Sequence, residues 1–176
     1  MHQPLRTRWP AGVTALAVAL MTIMVMVPAG AAWATTAIPG QDAPDFALKD
    51  EAGHNVRLSE WRGEIVLLSF WAGWCGQCAD QLQVLDDLRQ RYAAQGVRVV
   101  AINIDKATQA GADAARHLAL EVLHDADQSV AREYDLSGLP LTVLIDPHGK
   151  VRFVHEKYQR GDAARYAEEL AQLIRE

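Results

Sequence analysis

Trp74-Cys75-Gly76-Gln77-Cys78 decides the interpretation of this chain, because it holds the only two cysteines in 176 residues, three positions apart. The apolar run Ile65 to Trp71 precedes it, a pattern typical of a strand buried on both faces. If a helix begins at Cys75, its unpaired N–H groups and the positive end of its dipole favour a thiolate there. Cys78 then lies one turn later on the same face. Since the thiolate is the reactive form, the stretch predicts a redox pair in which Cys75 attacks a disulfide and Cys78 resolves the mixed disulfide.

Other uses of two cysteines fit the sequence less well. A zinc site needs about four ligands, and the chain has no second CxxC and no His spacing typical of a metal site. Covalent haem attachment needs His directly after the second cysteine, where Ala79 stands. A purely structural disulfide is the remaining alternative, although such a bridge usually closes a longer loop. No feature indicates a nucleotide, flavin or metal cofactor.

Residues 1–34 are predicted to be a signal peptide or an N-terminal membrane anchor. Arg6 and Arg8 precede an uncharged, largely apolar stretch over 9–34. Ala32-Trp33-Ala34 fits a small-x-small cleavage site. The uncharged stretch is also longer than the ~20 residues that span a bilayer, so a retained anchor is the alternative. Both interpretations place the rest of the chain outside the cytoplasm, periplasmic or extracytoplasmic, secreted or anchored to the inner membrane.

The remaining chain is acidic and long enough for one domain. Without residues 1–34 it has 15 basic and 22 acidic side chains, a formal charge of −7. Nucleic acid is therefore not an expected partner. Pro39, Gly40 and Pro44 predict a linker over residues 35–44, followed by a single domain over residues 45–176.

Strand and helix patterns alternate along this domain. An entry hairpin is predicted between Phe46 and Leu58. After the buried strand, apolar residues recur at helical spacing, at Leu82, Leu85, Leu88 and Tyr92. The helix is expected to end near Gly96, and Val97 to Ile104 has a second buried-strand pattern. Strand, helix and strand predict a βαβ unit with a parallel pair and a right-handed crossover.

The second half of the chain continues the alternation. Ala107 to Leu120 is predicted to be helical, and Asp127 to Tyr134 to be a short helix. Leu141 to Ile145 is the next expected strand, with Val151 to Val154 pairing antiparallel to it across a turn. Asp162 is expected to cap a last amphipathic helix. The elements together predict an α/β sandwich with a mixed sheet.

The chain resembles the thioredoxin-fold disulfide oxidoreductases, and specifically their extracytoplasmic TlpA/ResA-like branch, over about residues 43 to 174. The motifs that carry the resemblance are Phe70 to Cys78, Gly138-Leu139-Pro140-Leu141-Thr142, Ala43 to Leu48 and Leu58 to Gly63. It implies a thioredoxin-like three-layer sandwich with a mixed central sheet. It also implies an N-terminal β-hairpin extension and a helical insertion after the second core strand.

The resemblance also implies which residues shape the site. Trp74 would offer an apolar surface beside Cys75, and Gly76 and Gln77 would tune the reduction potential of the pair. Pro140 would be a cis proline packed against the CxxC, with the backbone at Leu139 pairing with an extended partner peptide. On the sequence alone, an ordinary trans turn proline is the alternative.

Two departures from the family concern the chemistry. Ser69 stands where cytoplasmic thioredoxins carry a buried Asp, whose carboxylate could transfer the proton of Cys78. That role would pass to water or to another acid, and Asp105 is the candidate proton shuttle that the resemblance suggests. A solvated loop residue is the alternative for Asp105. Gln77 replaces a common Pro, and its effect on the potential does not follow from the sequence.

Several functions compete. The resemblance implies a reductase of protein disulfides, kept reduced by a membrane-bound electron donor and acting on protein thiols such as those of apocytochrome c. An oxidase or isomerase that introduces or shuffles disulfides is the alternative. A peroxide-reducing enzyme ranks lower, since peroxiredoxins carry Thr where Ala72 stands. A redox-inert adaptor that holds a peptide at Leu139-Pro140 is the non-enzymatic alternative.

Overall fold

A mixed β-sheet is the centre of the structure, a computed structural model that describes residues 37–106 and 117–176. The strands in these residues are β1 (Ala47–Asp50), β2 (Asn55–Arg57), β3 (Ile65–Trp71), β4 (Val97–Asn103), β5 (Glu121–His124), β6 (Leu141–Ile145) and β7 (Val151–Glu156). The α-helices are α1 (Gly76–Tyr92), α2 (Ser129–Glu133) and α3 (Asp162–Ile174), with short 3-10 helices at Leu58–Trp61 and Ala93–Gln95. Across the sheet the strands follow the order β2-β1-β5-β4-β3-β6-β7.

Strand β3 is central because every one of its side chains is buried. It pairs in parallel with β4 on one side and antiparallel with β6 on the other. Its alternate residues point to opposite faces, so an almost entirely apolar strand can contribute to two cores at once. Leu67 and Trp71 pack with α1 and α3, whereas Leu68 and Phe70 pack with α2 and the first 3-10 helix. The predicted three-layer arrangement with a mixed sheet is confirmed.

Helix α1 connects β3 to β4 and confirms the predicted βαβ unit. One face of the helix is buried through Cys78, Gln81, Leu82, Leu85 and Leu88, the i, i+3, i+4 pattern that helical periodicity requires. The chain leaves the helical region at Gly96, whose φ of 77° lies in the left-handed region that glycine adopts without steric cost. Strand β4 then begins with Val97 opposite Ile65.

Both predicted hairpins are present. Leu48 of β1 lies opposite Val56 of β2, and Val143 of β6 lies opposite Val154 of β7, in antiparallel register. The predicted short helix near residues 127–134 is confirmed as α2.

The predicted helix over Ala107 to Leu120 is the main difference. Residues 107–116 lie outside the described part of the chain, as does most of the expected helical insertion. Residues 117–120 are not helical, so this end of the prediction is wrong. They lead into β5, a strand that the sequence pattern did not predict and that pairs in parallel with β4. Only two of its four residues are buried, so its apolar pattern is too short to be recognised.

Asp162 does not act as the expected helix cap. It is the first residue of α3, and the preceding Gly161 is the N-cap residue. The Asp162 carboxylate accepts a hydrogen bond from the backbone N–H of Gln159 at 2.7 Å. The side chain therefore closes the turn that leads into the helix.

Part of the expected linker lies against the sheet. The backbone N–H of Gly40 donates to the carbonyl of Val151 at 2.7 Å, and that of Ala43 donates to the carbonyl of Gly149 at 2.9 Å. Ala37 and Ala43 are buried. Residues 37–44 are thus bonded to the domain next to the β6–β7 turn.

Candidate active site

The two cysteines lie at the start of α1. Cys75 is the N-cap residue, with extended backbone angles, and Cys78 lies in the first turn. Their sulfur atoms form a disulfide, and their Cα atoms are 5.4 Å apart. The backbone N–H of Cys75 donates to the carbonyl of Ala72 at 3.0 Å. The pair is therefore placed by a turn on one side and by the first turn of a helix on the other.

Cys75 and Cys78 differ in exposure. Cys75 is partly exposed, whereas only 1% of Cys78 is accessible to solvent. A helix N-terminus carries unpaired N–H groups and partial positive charge, which favour a thiolate at the cap position. Of the two cysteines, Cys75 is therefore the one that solvent reaches.

Two apolar side chains near the CxxC in sequence or in the core keep some exposed surface. Trp74 is 72% exposed, an unusual state for so large an apolar side chain. Leu139 is partly buried and, like Cys75, packs against the core formed with α1 and α3. Gly76 and Gln77 are exposed. Trp74 and Leu139 thus both keep some apolar surface accessible to solvent.

Pro140 is buried, and the Leu139–Pro140 peptide bond is cis, in agreement with what the family resemblance implies. The Pro140 carbonyl accepts a hydrogen bond from the backbone N–H of Lys157 at 2.7 Å. This bond fixes the start of β6 to the segment that follows β7.

A buried polar network lies on the inner face of α1. The Ser69 hydroxyl donates to Oε1 of Gln81 at 2.8 Å, and Nε2 of Gln81 donates to the Thr142 hydroxyl at 2.7 Å. The same Nε2 lies 3.3 Å from the Tyr166 hydroxyl. All four side chains are inaccessible to solvent. Because Gln81 follows Cys78 by one helical turn, this network ties the helix that carries Cys78 to β3, β6 and α3.

The network consists of neutral groups. Burial raises the pKa of Tyr166, although hydrogen bonds with Thr142 and Gln81 partly oppose the shift, so its hydroxyl stays neutral. The hydrogen-bond partners of the Ser69 hydroxyl are therefore amide and hydroxyl groups. By the family resemblance, cytoplasmic thioredoxins carry a buried Asp at this position. Sequence reasoning missed Gln81. Its signal was a polar residue on the helix face that also carries Cys78 and Leu82.

Asp105 is not a solvated loop residue, which was the alternative to a proton shuttle at this position. It lies just after β4 and is 6% exposed. Its Oδ2 accepts hydrogen bonds from the backbone N–H of Gly73 at 2.7 Å and from Nδ2 of Asn103 at 2.9 Å. Asp105 thus reaches the loop that leads into the CxxC. Asn103 was also missed from the sequence, where it ends an otherwise apolar strand.

Comparisons with known proteins agree with this geometry. The model of the AhpC/TSA family matches residues 39–154. Thiol-disulfide oxidoreductase ResA of Bacillus subtilis is 36% identical over 114 residues, 64% of this chain and 64% of the relative. ResA of Geobacillus kaustophilus is 35% identical over 120 residues, 67% of this chain and 69% of the relative. The chain thus spans about two thirds of the length of these relatives.

A solved structure supports the same assignment. A crystal structure from Chlorobium tepidum, described provisionally as a thiol:disulfide interchange protein DsbE, superposes with a TM-score of 0.75 at 31% identity. The match covers 79% of this chain and 99% of that one. Together with the CxxC pair at the start of α1, these matches show that the chain belongs to the AhpC/TSA family and is a thioredoxin-fold, ResA-like thiol-disulfide oxidoreductase.

Proposed function

We propose that the chain is a reductase of protein disulfides, with Cys75 as the attacking thiol and Cys78 as the resolving thiol. The observation that carries this assignment of roles is the difference in solvent exposure of the two cysteine residues. An accessible thiol at a helix N-terminus can reach a partner's disulfide, whereas a buried one can reach only its neighbour in the CxxC.

The reaction transfers two electrons. In the reduced form, the Cys75 thiolate attacks one sulfur of the substrate disulfide, forming a mixed disulfide and releasing one substrate thiolate. Cys78, after loss of its proton, attacks the Cys75 sulfur and releases the second substrate thiolate. The substrate gains two electrons and two protons, and the Cys75–Cys78 disulfide is left. A membrane-bound dithiol donor would reduce it again.

The surface around Cys75 is suited to an extended polypeptide. Trp74 would cover apolar side chains of the substrate, and the backbone at Leu139 would pair with the substrate as an added strand beside Pro140. Gly76 and Gln77 are exposed, so a bound polypeptide would also meet this part of the CxxC loop. Oxidised thiols of exported proteins, including apocytochrome c, are the proposed substrates.

Asp105 is the proposed acceptor of the Cys78 proton. It is the buried acid bonded to the loop that precedes the cysteines, at Gly73. A water molecule between Cys78 and Asp105 would carry the proton, since buried water commonly bridges buried polar groups.

The proposed location is extracytoplasmic, with residues 1–34 acting as a cleaved signal or as an inner-membrane anchor. The charge and apolar pattern of those residues supports it. Within residues 37–106 and 117–176, no helix has the length and apolar character needed to cross a membrane.

The reduction potential of the pair tests the proposed direction. The full chain in detergent is equilibrated with glutathione or dithiothreitol buffers, and the dithiol fraction is measured by alkylation. A potential near or below about −220 mV supports a reductase. A potential near about −120 mV would make the protein an oxidant of folding proteins and would remove the reductase assignment. Peptide binding that survives replacement of both cysteines by Ser, without any exchange activity in the wild type, would favour an adaptor.

A further inference from the structure

Lys157 lies at the end of the sheet that carries the redox pair. Leu141 of β6 lies opposite Glu156 of β7, and one residue further the Lys157 backbone N–H donates to the Pro140 carbonyl at 2.7 Å. The β3–β6 register, continued by one residue in the same direction, places Pro140 beside Trp71. Because neighbouring strands are about 4.8 Å apart, the Lys157 backbone lies roughly 10 Å from the last residue of β3, which leads into the CxxC loop.

The backbone of Lys157 is unusual for a lysine. Its φ of 65° lies in the left-handed region, which is sterically unfavourable for a residue with a Cβ and freely available to glycine. Such a conformation persists where the surrounding structure holds it, and it is frequent at binding and catalytic sites. Since the backbone alone would favour glycine, the lysine side chain requires another explanation.

The ammonium group of Lys157 is available to a partner. The side chain is exposed, and it forms no ion pair in the part of the chain that the structure describes. The next residue, Tyr158, packs with the core formed with α1 and α3, the core that Cys75 and Leu139 also contact. The loop after β7 therefore turns towards the face of the sheet on which α1 and the cysteines lie.

A cavity of about 210 Å³ lies beside this loop, between β7 and the start of α3. Its lining includes Lys157, Gln159 and Arg165, together with the acids Glu156 and Asp162. The Asp162 carboxylate is already bonded, because it accepts the Gln159 N–H at 2.7 Å and lies 3.2 Å from the Arg165 guanidinium. Of these lining charges, Lys157 and Glu156 are therefore the two that have no ion-pair partner among the described residues.

Exposed cations outnumber exposed acids around this loop. Arg160 follows Lys157 by three residues and is exposed, as is Arg165. Glu156 leaves β7 on the face of the sheet that packs with α2, since it lies opposite a residue of that core. Asp80 in α1 is the exposed acid on the side of the cysteines. At short range the loop therefore attracts a carboxylate, although the chain as a whole is acidic.

We propose that Lys157 is a specificity-determining residue for the protein substrate, and that the cavity beside it receives an Asp or Glu side chain that lies close to the substrate disulfide. The inference rests on the proposed function, because a substrate strand must pair with the backbone at Leu139 for its side chains to reach Lys157. It goes beyond that function by naming a substrate class, the disulfides flanked by a carboxylate. An exposed ammonium group of this kind acts mainly on the association rate and on its salt dependence.

Two synthetic peptides test the charge preference. Each carries one intramolecular disulfide, and the two differ only in the residues that flank it, which are Glu in one peptide and Lys in the other. The reduced full chain, in detergent and about 0.1 M salt, is mixed with each peptide, and the second-order rate of disulfide reduction is measured. The wild type should reduce the Glu peptide faster than the Lys peptide, and the ratio of the two rates should fall as salt is raised to about 1 M.

Charge variants test the sign of the effect. Lys157→Gln should lower the Glu-to-Lys rate ratio roughly threefold, as expected for the loss of one exposed ion pair. Glu156→Gln should raise the ratio, because it removes the opposing charge from the cavity lining. Lys49→Gln is the matched control, since Lys49 is exposed and lies on β1, five strands from β7 and roughly 24 Å away. That distance exceeds the ~10 Å over which charges interact in 0.1 M salt, so this variant should leave the ratio unchanged.

Lys157→Gly separates the side chain from the backbone. Glycine adopts the left-handed conformation without steric cost, so the urea midpoint should not fall, whereas the rate ratio should fall as it does in Lys157→Gln. A lysine that serves only the fold would give the opposite result, a lower midpoint and an unchanged ratio, and that result would overturn the proposal.

Two further results would also overturn it. One is a rate ratio that neither Lys157→Gln nor Glu156→Gln changes; the other is an equal change in Lys157→Gln and Lys49→Gln, which would reflect overall charge alone. Failure of the proposed function would look different. A protein that oxidises the dithiol form of the peptides but does not reduce the disulfide form would refute the reductase, and the Glu-to-Lys ratio of its oxidation rates would test Lys157 in the same way.

Discussion

Replacement of Gln81 by Ala tests the buried polar network at α1. The change removes an amide that accepts the Ser69 hydroxyl and donates to the Thr142 and Tyr166 hydroxyls, all inaccessible to solvent. Each hydrogen bond contributes a net value of about 1 kcal/mol, and the partners left behind stay desolvated. The free energy of unfolding should therefore fall by roughly 3 kcal/mol. That is a large share of the ~5–15 kcal/mol typical of a domain.

Urea unfolding of the oxidised protein, followed by tryptophan fluorescence, measures this loss. With a slope of about 2 kcal/mol/M, the midpoint should fall by about 1.5 M. Gln83→Ala is the matched control, since Gln83 lies on the same helix with an exposed side chain. It undergoes the same chemical change, and its free energy of unfolding should stay within about 0.5 kcal/mol of the wild type.

A loss below about 1 kcal/mol in Gln81→Ala, or equal losses in the two variants, would refute the reasoning. The network would then stabilise the fold no more than an exposed glutamine side chain on the same helix does. Ser69→Ala gives an independent check, because it removes one donor and leaves the Gln81–Thr142 bond in place. It should cost about 1 kcal/mol.

Three further predictions concern the active site, the core packed against α2 and the C-terminus. Cys78→Ser should trap a mixed disulfide with the physiological partner, because the attacking thiol remains and the resolving one is gone. The mixed disulfide should be visible on a non-reducing gel and disappear with dithiothreitol. Failure to trap any partner would count against exchange. Tyr134→Phe should lower the free energy of unfolding by about 1 kcal/mol, since the buried hydroxyl donates to the Pro44 carbonyl at 2.8 Å; an unchanged urea midpoint would contradict this. Hydrogen bonds from Arg152 and Gln172 lower the pKa of Glu176 to about 2 from 4.5. The ionised Glu176 should therefore stabilise the fold above pH 4.5, and this contribution should be lost as the pH falls towards 2. If the melting temperature of Glu176→Gln depended on pH as that of the wild type does, this prediction would be wrong.

The elements with strong local patterns could be predicted from the sequence. Strand β3 is apolar throughout because both of its faces are buried, and α1 repeats apolar residues at the helical period because one face is buried. The hairpins followed from alternation and turn residues. Strand β5 could not be predicted, because its four residues carry too little pattern and its position depends on pairing with β4.

The sequence by itself determined the reactive pair, since two cysteines at CxxC spacing before a helical pattern define both the chemistry and the position of the thiols. Only the tertiary structure decided which side chains surround them. Gln81 meets Thr142 and Tyr166 across 61 and 85 residues of chain, and Asp105 meets Gly73 across 32. Such contacts leave no local periodicity, because they arise where separate strands and helices converge. The polar groups that accompany the cysteines are therefore fixed by the packing of the sheet against its helices.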